Sequence, residues 1–411
     1  MAHGPQARES KVAELLVQHI TQLNTMVSGS APITDGAVAF EGGEVVYVGP
    51  SDGAPHAASV VNGAGMVGLP GLVDCHTHTL YAGSRSNEFE RRLAGEDYTA
   101  ILQAGGGILS TVRATRLASD GELGELLTAR LGAMRALGVT SVEIKTGYGL
   151  DLETELRCLR LMALQSWPVR VLPTWLGAHA LPPEFKGRRQ DYVEYLVSKV
   201  LPQVAPFAEM ADVYCDVGAF DLQDTERILR AAKTAGLGLR IHAEQVVHTG
   251  AAALAAELGA SSADHLERLD QAGIDAMAKA GTVAVLLPGA MLYLRDVPPP
   301  VSALRAAGVP LAVATDFNPG SSPVRDLWTA ASLACVSMGL SVQEALAGIT
   351  RVAGQALGRP ELGWLGAGSA ADLALYRTPP GEPADAASLV QFMGSHPAQV
   401  LVQDGQLTLG S

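Results

Sequence analysis

Apolar and polar positions along the chain fall into three regimes. Residues 11–65 form short alternating runs broken by turn residues: Gly36 to Phe40, the turn Glu41-Gly42-Gly43, then Glu44 to Gly49. From Val67 to about residue 358, apolar strand-like runs (141–145, 169–176, 213–215) alternate with Ala- and Leu-rich stretches of helical period (122–137, 152–164, 223–235, 249–258, 271–280). After Pro360 the pattern returns to strands, 372–376 and 400–403, the latter followed by the turn Asp404-Gly405.

A repeated β-α order calls for a parallel sheet with covering helices, and the natural closed form is a TIM-like (β/α)8 barrel. The strands at the two ends of the sequence are expected to pair into one small β-sandwich-like domain. The expected division is therefore 1–65 plus 360–411 for the β domain and 66–359 for the barrel. An open doubly wound sheet is the competing arrangement, but the Gly-x-Gly-x-x-Gly turn it usually carries after its first strand is absent.

The barrel reading gives meaning to two histidines one residue apart. His76 and His78 follow the apolar run from Met66 to Asp74. In extended chain, positions i and i+2 point the same way and lie roughly 6.5 Å apart, so both imidazoles can reach one metal. Three later apolar runs also end in polar groups: 237–241 at His242, 260–263 at Asp264-His265, and 309–314 at Thr315-Asp316. Parallel barrels gather the C-terminal ends of their strands at one mouth. His76, His78, His242 and Asp316 thus form an N/O set suited to a divalent first-row metal with an open position, the setting for hydrolysis.

Around that set, Asp316 is suited both to ligate and to accept a proton from water, and His265 to hold an oxyanion, to shuttle a proton or simply to bond structurally. No lysine closes the run 169–176, where a bridging carboxylated lysine would be needed for two metals, so one ion is expected. The segment Asp316-Phe-Asn-Pro-Gly-Ser-Ser-Pro323 reads as a strand end opening a helix, with Ser321 or Ser322 as N-cap, Pro323 first in the helix and backbone N–H groups free for a carboxylate. Arg85 lies in a polar loop at the same mouth, where it can fork onto a carboxylate or make a surface ion pair. Gly105-Gly106-Gly107 reads as a loop or as a close approach to ligand. Lys145 reads as an ion-paired core residue, and Tyr98, Tyr148 and His179 stand at or near loop starts.

Composition narrows the class. The 411 residues, 48% hydrophobic and 17% charged, suit a globular protein with a large core. A net charge of −13 disfavours nucleic acid or an anionic membrane as partner. Cys75, Cys158, Cys215 and Cys335 are scattered in apolar contexts and read as reduced thiols. The apolar stretch at 15–20 is interrupted by Gln18 and His19, and the one at 283–294 by Pro288 and Gly289, so a cytoplasmic location is expected.

The run Gly68-Leu-Pro-Gly-Leu-Val-Asp-Cys-His-Thr-His78 resembles the first-strand signature of the amidohydrolase superfamily. Within it the chain is similar to the imidazolonepropionase family, which acts in histidine degradation. The matching segments are Tyr81-Ala-Gly-Ser-Arg-Ser-Asn-Glu-Phe89, Ala104-Gly-Gly-Gly-Ile-Leu-Ser-Thr-Val-Arg-Ala-Thr-Arg116, Glu143-Ile-Lys-Thr-Gly-Tyr-Gly-Leu-Asp-Leu-Glu-Thr-Glu155, Leu176-Gly-Ala-His179 and Ala314-Thr-Asp-Phe-Asn-Pro-Gly-Ser321. The resemblance implies hydrolysis of the ring amide of 4-imidazolone-5-propanoate to N-formimidoyl-L-glutamate at one divalent or trivalent ion, zinc or iron. It implies His76, His78, His242 and Asp316 as ligands and Arg85, Tyr148, His179, Gln245, Asn318, Gly320 and Ser321 around the substrate, with Tyr98 and His265 as further candidates. A homodimer acting on a small carboxylate-bearing substrate is implied as well.

The match departs after His242. Family members carry Glu or Gln at the position of Gln245, and usually Ser-Asn followed by paired glycines where this chain has Val247-His248 and Gly250-Ala251. An amide cannot act as a general base, so Gln245 would orient water or bind the ring, and proton transfer would fall to Asp316 or His265. His248 reads as structural or exposed. Another mononuclear cyclic amidase or a deaminase is the alternative activity, and a non-catalytic barrel the alternative class. The first gives no reason for Arg85 if its substrate is a neutral base, and the second is at odds with the retained set His76, His78, His242, His265 and Asp316.

Overall fold

The computed structural model describes residues 12–96, 106–394 and 396–410. Tyr98 and Gly105 therefore lie outside the described residues. The N-terminal strands are β1 (Ala13–Leu23), β2 (Ile33–Glu41), β3 (Glu44–Pro50), β4 (Ala57–Asn62) and β5 (Val67–Pro70). The barrel strands are β6 (Leu72–Asp74), β7 (Val139–Lys145), β8 (Arg170–Ala178), β9 (Met210–Cys215), β10 (Gly238–Leu239), β11 (His242–Ala243), β12 (Ser262–His265), β13 (Val283–Leu286) and β14 (Leu311–Val313). At the C-terminal end come β15 (Leu373–Tyr376), β16 (Ala398–Gln403) and β17 (Gln406–Leu409).

Both ends of the sequence share one mixed sheet, ordered β17-β16-β15-β5-β1-β2-β3 with β4 beside β1. Antiparallel pairing of β15 with β5 makes the junction, register Leu373 to Pro70. Leu15, Val17, Ile20, Val38, Phe40, Leu373, Leu375, Val400 and Val402 pack as its apolar core. That core exists only when residues from both ends come together.

In the second sheet the strands run β6-β7-β8-β9-β11-β12-β13-β14, every pair parallel, with β10 beside β9. The circle closes where Asp316 N–H donates to His76 C=O at 3.0 Å and His78 N–H to Phe317 C=O at 3.0 Å. Every residue of β7 is buried, as expected of a strand covered on both faces. Ser119, Asp151, Asp221 and Asp270 cap four of the outer helices by accepting a backbone N–H from the first turn.

The apolar run before His76 is divided. Residues 67–70 belong to the mixed sheet and 72–74 to the barrel, with Gly71 between them. Its N–H donates to Asp372 C=O at 3.0 Å. A Cβ at Gly71 would lie 2.1 Å from Thr140 Oγ1 and 2.9 Å from Asp372 Cβ, so only glycine fits where the chain passes between sheets. A continuous hydrophobic pattern does not reveal which sheet each half joins. The run 237–241 is likewise split, with buried Arg240 between β10 and β11.

The four cysteines are free, three of them buried and Cys335 half-buried. Among the described residues no helix is long and apolar enough to cross a membrane. Gly71→Ala is expected to destabilise the protein by about 1–3 kcal/mol, an overpacking cost, read as a lower denaturant midpoint. An unchanged midpoint would contradict the tight passage at Gly71.

Candidate metal centre

The first barrel strand delivers His76 and His78 just beyond its last ladder residue, β11 begins with His242, β12 ends with His265, and Asp316 follows β14. All five side chains are buried. Backbone at this mouth is strained: Glu244, His265, Leu266 and Asp316 have φ of 57°, 79°, 76° and 51°. Such left-handed conformations cost of order 1–3 kcal/mol each and cluster where function requires an unusual side-chain direction.

The potential ligand atoms of His76, His78 and His242 all lie within 4.8 Å of one another. Asp316 Oδ1 is 3.4 Å from His76 Nε2 and 3.5 Å from His78 Nε2. His265 joins the group, its ring centroid 5.3 Å from that of His242 and 5.8 Å from that of His76. His76 Nε2 and His242 Nε2 are buried without a hydrogen bond. Buried imidazole nitrogens left unbonded and aimed at one point, with a carboxylate beside them, fit a first-row metal ion.

A second layer orients these rings. His76 Nδ1–H donates to Asp264 Oδ2 at 2.6 Å, and His242 Nδ1–H donates to Asp212, 3.0 Å from Oδ2. Each bond fixes the tautomer that leaves Nε2 with its lone pair. Asp264 also accepts from Arg240 at 2.8 Å, while Lys145 Nζ sits 2.8 Å from both Glu143 and Asp212. Lys145 is thus the ion-paired core residue expected of it. The sequence reading names Asp264, with His265, only as the polar end of the run 260–263, and does not single out Asp212.

Burial holds the imidazoles of His76, His78 and His242 below the ordinary histidine value, Lys145 lowering the first further and Asp212 opposing the shift in the third. The shift favours the neutral form, the one able to bind a metal. Burial pushes the Asp316 carboxyl up to about 7, against the pull of His265. Burial also works against the charge on His265, but Glu267, with Oε1 3.9 Å from Nδ1, outweighs it and raises that imidazole.

The residues expected around the substrate fall into two groups. His179 stacks on His78 at 5.1 Å and 22°, with Tyr148 6.0 Å from His78 and 5.5 Å from His179 between ring centroids. Burial lowers His179 to about 3 and raises the Tyr148 hydroxyl above its usual value. Tyr214, not foreseen, brings its ring within 5.7 Å of His242. A Cβ at Gly320 would meet Arg85 Nη1 at 2.0 Å, so the guanidinium lies directly on the Asn318–Ser321 turn.

That turn corrects the sequence expectation of a capped helix opening at Ser321 or Ser322. Asn318 Oδ1 accepts the N–H groups of Gly320 at 2.8 Å and Ser321 at 2.7 Å, and Ser322 Oγ–H donates to Thr315 C=O. A local Asx-type bond competes with helix formation. The helix begins at Leu327, capped by Asp326, and Pro323 lies outside it. The amides of residues 320 and 321 are occupied by Asn318 rather than free.

Gln245 is half-buried. Its neighbour Glu244 is turned away, its carboxylate accepting the N–H groups of Thr249 and Ala252. The amides of Val246 and Val247 donate to Asp216, and Glu244 C=O accepts from Arg268 N–H, so the backbone on both sides of Gln245 is pinned. His248 is half exposed and bridges Glu244 and Asp270, at 3.1 and 3.6 Å, on the outer side of this loop.

The profile of the amidohydrolase family matches residues 91–391. The chain is 49% identical over 396 residues to an imidazolonepropionase of Ralstonia nicotianae, covering 94% of this chain and 96% of the relative. It is 44% identical over 409 residues to one from a Polaromonas species, covering 97% and 95%. The chain belongs to the imidazolonepropionase family. Among solved structures, an adenosine deaminase from Xanthomonas campestris with bound zinc has the same fold, with a TM-score of 0.72 at 18% identity, covering 98% of this chain and 94% of that one. A variant of atrazine chlorohydrolase from Arthrobacter aurescens, solved with zinc and atraton, gives 0.68 at 18% identity, covering 96% and 95%. The imidazolonepropionase likeness thus runs through both the barrel and the mixed sheet.

Two outcomes test this centre. Because burial holds the three imidazoles below their ordinary value and raises Asp316, zinc uptake at pH 5.5 should release clearly fewer protons than the nearly three that ordinary side-chain pKa values would give. Calorimetry in buffers of different ionisation enthalpy measures the number. Asp264→Asn should weaken zinc binding about 10–100-fold in a competition titration, and unaltered affinity would separate Asp264 from the site.

Proposed function

We propose that this chain hydrolyses the ring amide C–N bond of 4-imidazolone-5-propanoate, giving N-formimidoyl-L-glutamate, in histidine degradation. The observation that carries the proposal is near-full-length likeness to imidazolonepropionases in a chain whose His76, His78, His242 and Asp316 converge at one barrel mouth. These four residues would hold one zinc or iron ion. When bound, such an ion is a Lewis acid that activates water and polarises a carbonyl near neutral pH.

The remaining steps belong to the protein. Arg85, held against Gly320, forks onto the propanoate carboxylate, with Asn318 and Ser321 forming the wall beside it. Tyr148 and His179 offer an aromatic face to the planar ring. Asp316, the carboxylate beside the ion, is placed to accept a proton from water. The water oxygen bonds to the ring carbonyl carbon, the ring C–N bond breaks, and the proton passes to the departing nitrogen. His265, whose charged form Glu267 favours, stabilises the developing oxyanion. Gln245, an amide, orients water or the ring and carries no proton.

The family likeness and the net charge of −13 support a cytoplasmic homodimer without nucleic-acid or membrane partners. The test is loss of ultraviolet absorbance of freshly generated 4-imidazolone-5-propanoate. Chelated protein and Asp316→Ala are both expected to lose at least about 10³-fold in kcat/KM, with activity returning to the wild type on adding metal. Absence of turnover by folded, metal-replete wild type would overturn the substrate assignment.

A further inference from the structure

Glu88 is a buried carboxylate at the mouth whose two oxygens serve two different elements. It lies in the helix Ser86–Leu93, three residues after Arg85. Its Oε2 takes Arg85 Nε–H at 2.9 Å and lies 2.8 Å from Nη2. Its Oε1 accepts the N–H of Gly107 and the hydroxyl of Ser110, both at 3.1 Å. Gly107 is the N-cap of the helix Ile108–Leu117 and has no side chain to cap it. Glu88 therefore supplies negative charge where that helix begins, and joins the glycine run to Arg85.

The geometry at the guanidinium is selective. Glu88 occupies the side formed by Nε and Nη2. The Nη1 side rests against Gly320, where a Cβ would come within 2.0 Å of Nη1 and 2.8 Å of Cζ. Arg92 Nη2 donates to Gly320 C=O at 3.3 Å from the same helix, so the contact surface is fixed from both sides. A planar guanidinium held along one side keeps the Nη1–Nη2 end for a second carboxylate.

We propose that Glu88 is a positioning residue for substrate binding: it aims the free end of Arg85 at the substrate carboxylate and couples that aim to the order of the Gly107–Ser110 helix start. The proposal rests on the reading of Arg85 as the carboxylate fork. Glu88 has no contact with the reacting atoms, so its removal should act on binding and not on the chemical step. In Glu88→Gln one of the two acceptor oxygens becomes an NH2 donor, so the side chain can no longer accept both from Arg85 and from Gly107 and Ser110, and its charge on the guanidinium is lost.

Steady-state kinetics on 4-imidazolone-5-propanoate would be measured for metal-replete wild type, Glu88→Gln, Arg85→Met and the double variant. Glu88→Gln is expected to raise KM about tenfold with kcat within about twofold, and to add nothing in the Arg85→Met background. A merely structural loss would persist in that background and would lower kcat too. If Arg85→Met leaves KM unchanged, the carboxylate-fork reading fails and takes this proposal with it. If Arg85→Met raises KM but Glu88→Gln does not, or the two effects add, the role of Glu88 alone is overturned. Should Glu88→Gln not fold, Glu88→Asp, which keeps the charge but withdraws it by one methylene, is expected to show the same pattern at smaller amplitude, and a wild-type KM there would count against the proposal.

Discussion

The site depends on one shared atom, Asp264 Oδ2, which accepts from His76 Nδ1 at 2.6 Å and from Arg240 at 2.8 Å. Both side chains and the acid are fully buried. Isolated charges in such surroundings cost several kcal/mol each, and removing one partner of a buried pair commonly costs about 3–5 kcal/mol. Here Arg240 and Lys145 lie among Glu143, Asp212 and Asp264, and each of the two acids that touch histidine also touches a cation. A carboxylate fixed in this way holds an imidazole in one tautomer and one direction. The Nε2 atoms of His76 and His242 are therefore left without hydrogen bonds beside one another, and the cost of organising them is met during folding.

The same device recurs around the mouth, where irregular backbone would otherwise bury unmade hydrogen bonds. Glu155 Oε1 accepts the N–H groups of Gly147, Gly149 and Leu150, shaping the loop that carries Tyr148, whose neighbour Gly147 accepts from His179 Nδ1. Asp216 and Glu244 gather the loop after His242, and Asp74 accepts from the amide and hydroxyl of Thr315 just before Asp316. Charge-assisted bonds of this kind are stronger than neutral ones and offset the strain at Glu244, His265 and Asp316. In the loop after His242 the anchors are carboxylates reaching backbone amides, which are indifferent to side-chain identity.

Much of the barrel was legible because its strands are short, largely apolar runs separated by helices with visible caps. The convergence of His76, His78, His242, His265 and Asp316 follows from the parallel topology alone. Less legible were features decided by contacts distant in sequence. Periodicity in 66–74 is uninterrupted, yet Gly71 divides it between two sheets because Thr140 and Asp372 close in on that point. The proline and serines after Asn318 resemble a helix start, but the Asn318 amide satisfies the local N–H groups first. Asp212, Asp264, Glu88 and Glu155 carry no local signature of their roles, since a buried acid is intelligible only beside the imidazole, guanidinium or amide it receives.

The central claim is a single ion held by three imidazoles and one carboxylate at this mouth. Anomalous diffraction at the zinc and iron edges, from crystals of the protein as purified, addresses it most directly. The account predicts one peak, about 2.0–2.2 Å from Nε2 of His76, His78 and His242 and from a carboxylate oxygen of Asp316. A peak elsewhere, or a second one about 3.5–4 Å from the first, would contradict it.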